Sequence, residues 1–348
     1  LFKQFGQIST RFFAFLLQIE RIMDFRTPIS YKSTFSIGFN DSILMLGSCF
    51  SNNIGLKFQQ AKMNVTINPF GVLFNPMSIA STIEKTIDYK PITESELLLN
   101  NNLWVNLDFH GSFSSTNKYE ALQKMNSASE LMHKKLSEST FLIITFGTAY
   151  VYKYLQTNKI VANCHKLPSN QFVCERLTVD EIVEKYIGLI NNLLSINSKL
   201  QFVFTVSPIR HLRDGLHNNQ LSKSTLLLAI EQLTTQFKQV HYFPSYEILI
   251  DDLRDYRFYD TDMLHPSSVA VDYIWQVFCK NCISAADNLL IDEIAKIENA
   301  VNHKPINPNS VEFQQFVASQ IKNIDAIRQK LPNINFTAEL EHFKHLSY

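Results

Sequence analysis

The sequence predicts an α/β protein: a three-layer α/β/α sandwich around a mostly parallel sheet, with a helical extension at its C-terminal end. Three observations predict it. Apolar runs of strand length, Phe141–Phe146 ("FLIITF") foremost, read as strands buried on both faces, as in a parallel sheet. Helical patterns alternate with these runs, and such alternation implies crossover connections with helices on both faces. Beyond about Asp287 the strand signals cease and only helical patterns remain.

The elements follow in order. Ile43–Leu46 reads as the first strand, closed by Gly47, and Asn52–Ala61 as the helix after it. Met63–Ile67 is a second strand that runs into "NPFGVLFNP", where Asn, Pro and Gly mark a structured turn. Met77–Ile87 is helical, and Leu97–Tyr119 is mixed and polar, a hairpin or an excursion. Gly147 ends the buried run Phe141–Phe146, and Val151–Tyr154 with Lys159–Ala162 reads as a side hairpin. Thr178–Leu194 is an amphipathic helix, with Thr178 and Glu181 spaced as a capping box. Gln201–Val206 is a buried strand stopped by Ser207-Pro208. Gln220–Phe237 is helical, Val240–Phe243 a short strand, and Pro266–Ala285 a helix opened by proline. Asp287–Ala300, Val311–Leu331 and Thr337–Leu346 are helices separated by Asn/Pro-rich links. Met23 opens "MDFRTPIS" and reads as a natural start, so residues 1–22 are taken as an extension, 23–286 as the α/β domain, and 287–348 as a helical extension packed on it.

Composition narrows the function classes. Lys+Arg and Asp+Glu are both 32 in a chain of 348 residues, so nothing suggests an electrostatic grip on nucleic acid or an anionic membrane. Hydrophobic content of 45% with 27 Phe is enough for a sizeable core, and no apolar segment is long enough to span a bilayer. Five cysteines without dense spacing argue against a disulfide framework and for a reducing, cytoplasmic setting. Cys279 and Cys282 share one face of a helix and read as core packing. "NCHK" (Asn163 to Lys166), with Cys174 near it, lacks ligands at zinc spacing, so His165 reads as a polar contact lining the cleft, and no metal is expected.

In open α/β sheets, ligands bind beyond the carboxyl ends of the strands. The polar residues just past the predicted strands are Ser48 and Cys49, then Asn68 and Gly71, then Gly147 and Thr148, then Ser207, Arg210 and His211. "YDTDMLHPS", with Asp260, Asp262 and His265, precedes the last helix of the sheet domain. Ser48 at a helix start is the candidate nucleophile, His265 its general base, and Asp262 the carboxylate that orients the imidazole. The N–H groups of Ser48 and Gly71 are candidate oxyanion donors. Cys49 competes with Ser48, since a thiolate at a helix N-terminus is activated. Ser48 is preferred because the residue directly after such a glycine is presented to the cleft, whereas Cys49 is expected to face the sheet. Arg210 and His211 are candidate contacts for a substrate carboxylate or phosphate.

"LGSCFSNNIG", "INPFGVLFNP", "TFGTAYVY", "ANCHK", "SPIRHLRDG" and "DLRDYRFYDTDMLHPS" together resemble the GSCFA-domain family, a bacterial branch of the SGNH (GDSL-like) hydrolase superfamily. The resemblance runs from about Met23 to about Phe336. It implies a flavodoxin-like sandwich, acyl-ester chemistry, Ser48 as nucleophile and oxyanion donor, Gly71 as a second donor, and Asp262 and His265 as the rest of a triad. Two departures stand out. Ser51 replaces the final Ala of the family's name motif, and Gly147-Thr148-Ala149 stands where typical SGNH enzymes carry Gly-x-Asn-Asp. Thr148, or Asn68, is then the expected third oxyanion donor. The reading is a serine hydrolase acting on a small-molecule or glycan ester without cofactor. Its alternatives are an O-acyltransferase to a glycan hydroxyl and a catalytically silent binding protein.

Overall fold

The computed structural model describes residues 26–213 and 215–346; the expected extension, residues 1–22, lies outside them. Strand β1 (Ser42–Gly47) leads into α1 (Cys49–Gln60), β2 (Asn64–Ile67) and α2 (Pro76–Ile87). A hairpin, β3 (Leu98–Asn100) and β4 (Leu103–Val105), precedes α3 (Lys118–Glu138) and β5 (Phe141–Phe146). Strands β6 (Tyr150–Tyr154), β7 (Lys159–Val161) and β8 (Phe172–Arg176) form an antiparallel side sheet. Then come α4 (Val179–Ile196), β9 (Gln201–Val206), α5 (Leu216–Gln236), β10 (Val240–Tyr242) and α6 (Ser268–Cys282). Helices α7 (Ala285–Val301), α8 (Val311–Lys330) and α9 (Thr337–Leu346) complete the described chain.

The central sheet runs β10-β9-β5-β1-β2, with every neighbouring pair parallel. Counted along the sequence from the β2 edge this is the 2-1-3-4-5 order of doubly wound, flavodoxin-like sheets. Winding reverses between β1 and β5, which opens a crevice beyond their carboxyl ends. Successive strand residues point to opposite faces. Leu44 and Leu46 therefore enter a core built with α2, α3, α4 and α5, while Ile43 and Met45 enter a second core with α1 and α6. The expected three-layer sandwich is what forms.

Several elements depart from expectation for local reasons. Sequence reasoning leaves residues 120–140 without an element, yet α3 occupies them; its buried stripe, Ala121, Met125, Ala128, Met132 and Leu136, is narrow and partly small, so its amphipathic contrast is weak. Strand β8 is mostly exposed and carries no apolar alternation, so only its pairing with β6 defines it. Helix α6 starts after Pro266, not at it: Pro266 bridges back to Tyr259, and Ser267 caps the helix by accepting the Ala270 N–H at 3.3 Å. Cys282 is fully buried and Cys279 half-buried against the second core, and burial pushes both thiols up to about 12.

The C-terminal helices bury their own apolar cluster, including Ile294, Val317, Ile324, Phe336 and Phe343. Lys62, just beyond α1, joins them to the sheet domain through Glu339 at 2.6 Å and Glu298 at 3.3 Å.

Phe58 is fully buried where α1 meets α6, with its ring edge-on to Trp275 at 4.8 Å and Phe278 at 5.4 Å. Phe58→Ala is expected to cost about 3–5 kcal/mol of stability, read as a lowered denaturation midpoint with an unchanged slope.

Candidate active site

The turn from β1 into α1 is built by backbone sterics. Gly47 sits at φ +135°, and a Cβ there would overlap the Thr145 carbonyl oxygen on the neighbouring β5. Only glycine lets the strands stay this close while the chain turns. The segment after β2 wraps the turn: Gly47 N–H donates to Asn68 Oδ1 at 2.8 Å, Asn68 N–H to Met45 O at 2.8 Å, and Leu73 N–H to Gly47 O at 3.0 Å. Across the crevice, Gly147 and Thr148 N–H both donate to Phe74 O, at 2.8 and 3.0 Å. Gly147 also lies beside Ser48, close enough that a Cβ would meet Ser48 Cβ at 3.4 Å.

Ser48 occupies the N-cap position of α1. A serine there ordinarily accepts a backbone N–H of the first turn. This one does not: its hydroxyl makes no capping bond, and Oγ is buried with no hydrogen-bond partner among the described residues. A cavity of about 340 Å³ is lined by Ser48, Cys49, Phe74, Arg210, His211 and His265 among others. Ser48 and His265, 217 positions apart in the chain, thus border one space.

His265 is held by its own loop. Asp262 Oδ1 accepts the N–H groups of Leu264 at 2.8 Å and His265 at 2.9 Å, and His265 Nδ1 donates to Asp262 Oδ2 at 2.6 Å. Asp260 N–H donates to His265 O at 2.8 Å, closing the loop. The backbone donors of His265 and Leu264, then the imidazole, hold the Asp262 carboxyl well below the usual range, at about 2. With Nδ1 committed to the carboxylate, Nε2 is the nitrogen left for the cavity side.

The expected oxyanion donors are not assembled in this conformation. Ser48 N–H donates to Thr145 O at 3.2 Å, and Gly71 N–H to Asn68 O at 2.7 Å within its turn. Gly71 packs against His110, away from the cavity lining. Thr148 Oγ1 accepts from Tyr150 N–H at 3.1 Å and pairs with Ser222 Oγ at 3.1 Å. Asn68, the other expected third donor, gives its amide N–H to Asn52 Oδ1 at 2.6 Å and serves the β1 turn instead of a substrate. His165 is likewise not among the cavity-lining residues: its Nε2 lies 2.8 and 3.0 Å from the Asn106 and Phe109 carbonyl oxygens. Hydrogen bonds within the fold claim each of these groups, several of them to residues distant in the chain, which spacing along the sequence does not reveal.

Arg210 and His211 do line the cavity. His211 Nε2 is buried without a partner among the described residues. Burial, helped by the nearby Lys223 and His265 charges, pushes its imidazole down to about 4, so it is neutral across the physiological range. Cys49 is half-buried and also borders the cavity, so it does not turn wholly away as expected; burial pushes its thiol up, which disfavours the reactive thiolate.

Sequence reasoning missed Lys223. It is fully buried on α5 and donates to Gly147 O at 2.6 Å and Ser207 O at 2.7 Å, tying together the carboxyl ends of β5 and β9 beside the crevice. Nothing in its helical context signals this. Among the described residues no group of three or more His, Cys, Asp or Glu side chains is arranged to hold a metal ion, and no helix is long and apolar enough to cross a membrane.

A parallel doubly wound sheet with a serine, an imidazole and a carboxylate at its switch-point crevice defines an α/β protein with a candidate nucleophile–base site. The chain belongs to the GSCFA family: the family model matches residues 42–278, and the model described as the GSCFA domain protein, C-terminal domain, matches residues 294–346. No curated protein matches the chain.

Two outcomes are expected. Gly47→Ala forces a side chain into the Thr145 carbonyl at positive φ, so it should destabilise the fold by at least about 1–3 kcal/mol, measured by chemical denaturation. Asp262 has a folded pKa below its unfolded value, so its contribution is present above about pH 4 and is lost as pH falls toward 2. Melting temperatures across that window should therefore fall less steeply in Asp262→Asn than in the parent.

Proposed function

We propose that this GSCFA-family protein is a serine esterase of the SGNH (GDSL-like) type, working in the cytoplasm on a small-molecule or glycan ester. One observation carries the reading: a buried serine hydroxyl that declines its helix-capping role borders the same cavity as an imidazole fixed by a carboxylate. The strand order, with the serine after the first strand and the Asp–His pair before the last helix of the sheet domain, agrees with that superfamily.

Ser48 Oγ attacks the acyl carbonyl as His265 Nε2 takes its proton. Asp262 holds the imidazole tautomer and stabilises the imidazolium. His265 then protonates the departing alcohol, and water attacks the acyl-serine by the reverse sequence. The tetrahedral oxyanion needs donors. Gly-Thr-Ala stands in place of the superfamily's Asn-bearing block, so His211 fills that need: it lines the cavity, is neutral, and has a buried Nε2 unpartnered among the described residues, which donates in the tautomer that carries hydrogen there. Ser48 N–H joins it once the long bond to Thr145 yields to a stronger acceptor. Burial raises the Cys49 thiol pKa, which favours Ser48 over Cys49 as the nucleophile. Transfer of the acyl group to a sugar hydroxyl uses the same acyl-serine and differs only in the acceptor.

A fluorophosphonate probe should label the protein stoichiometrically, lose its target in Ser48→Ala, and keep it in Cys49→Ser. Labelling that survives Ser48→Ala but disappears in Cys49→Ser would reverse the assignment, and no labelling of the parent would favour a silent binding protein. His265→Ala is expected to lower kcat by about 10³–10⁶-fold on any ester turned over. Product analysis with added sugar acceptors separates transfer from hydrolysis.

A further inference from the structure

We infer that Arg210 and the cavity behind it form a subsite for an oxyanion-bearing part of the substrate, a carboxylate or a phosphate, so that the site selects anionic esters. This rests on the esterase reading above for its catalytic half, but the binding half stands on Arg210 alone.

Arg210 borders two cavities. One is the cleft with Ser48 and His265; the other, of about 270 Å³, is lined by Leu249, Arg254, Asp255, Tyr256 and Tyr259 among others. The position of Arg210 is tied to the base, because its N–H donates to Leu264 O at 3.1 Å, one residue before His265. A molecule whose ester carbonyl reaches Ser48 therefore has a cation within the same cavity.

That cation has no counter-charge among the described residues. Among the described residues, the carboxylates of the neighbouring loops are engaged elsewhere. Asp255 pairs with Arg257 at 2.8 Å, Asp251 with Arg254 at 3.2 Å, Asp262 with His265, and Asp252 with Arg26 and Tyr273 at 2.7 Å each. Arg210 makes no ion pair with any of them, although it is half-buried. A partly desolvated guanidinium without a partner favours an anion, and its forked donors match the two oxygens of a carboxylate or phosphate. Its charge is felt locally, since it disfavours the protonated form of buried Lys223. The second cavity adds an exposed Tyr256 ring, with Arg254 and Asp255 each held in an ion pair of its own, so a substituent crossing Arg210 meets an aromatic wall.

The test compares p-nitrophenyl esters of matched acyl length: hemisuccinate (carboxylate), 3-phosphonopropionate (a phosphate mimic) and butyrate (neutral). The parent should favour one or both anionic esters over butyrate in kcat/KM by about tenfold or more, mainly through KM. Arg210→Met should bring that ratio to near one, and Arg210→Lys should restore part of it. A second arm needs no turnover. Calorimetric titration of Ser48→Ala should show monomethyl succinate binding about tenfold or more tightly than methyl butyrate, with the difference lost in the double variant with Arg210→Met. If no ester is hydrolysed by the parent yet this binding difference appears, the esterase reading falls and the anion subsite stands. Equal binding of charged and neutral esters, or a preference that survives Arg210→Met, overturns the subsite.

Discussion

The close approach of β1 to β5 at Gly47 is the constraint from which the rest of the site follows. A Cβ at that position would collide with the Thr145 carbonyl, so the two central strands run side by side to their carboxyl ends only because the residue is glycine. The positive φ then turns the chain so that Ser48 leads α1 at the point where the sheet reverses its winding. The loop after β2 completes the turn by giving it the Asn68 side chain and the Leu73 N–H. Asn68, which looks like a ligand contact in the sequence, is in the fold one of the groups whose hydrogen bonds hold this bend.

Two cations behave differently around the crevice. Lys223 is enclosed and bonded to two strand-end carbonyls, and burial lowers its pKa to about 7, so it acts as a tie between β5 and β9. Arg210 is partly open, and its guanidinium makes no ion pair among the described residues. The neutral His211 lies next to it in sequence, and the Asp262–His265 pair borders the same space. The crevice thus combines a carboxylate-held imidazole, a neutral imidazole and a guanidinium unpaired among the described residues, in a chain of zero net formal charge, a local asymmetry that the overall composition hides.

The C-terminal helices stand apart in their packing. They bury a cluster of their own and meet the sheet domain partly through the three-way charge contact of Lys62, Glu298 and Glu339, at the α1 end remote from Ser48. The N-terminus of α1 carries the serine, and Lys62 just beyond its far end reaches those helices.

The sequence by itself determined the architecture. Burial on both faces makes β5 and β9 continuous apolar runs whose limits are legible to the residue, and strand–helix alternation over a parallel sheet leaves little choice of layers. It also made Ser48, Asp262 and His265 legible as candidates, because a glycine after a strand and an Asp three residues before a histidine are short-range patterns. Helix α3 and strand β8 were not legible, since a thin stripe of small residues and an exposed edge leave little periodic signal. Which donors are free was decided only by the tertiary structure. Asn68, Gly71, Thr148 and His165 are all satisfied by partners that local composition does not announce, whereas Lys223 gains its place by reaching two strand ends. Hydrogen-bond satisfaction depends on what the folded chain brings within about 3 Å of a group, and most of those partners lie too far along the sequence for any local pattern to encode.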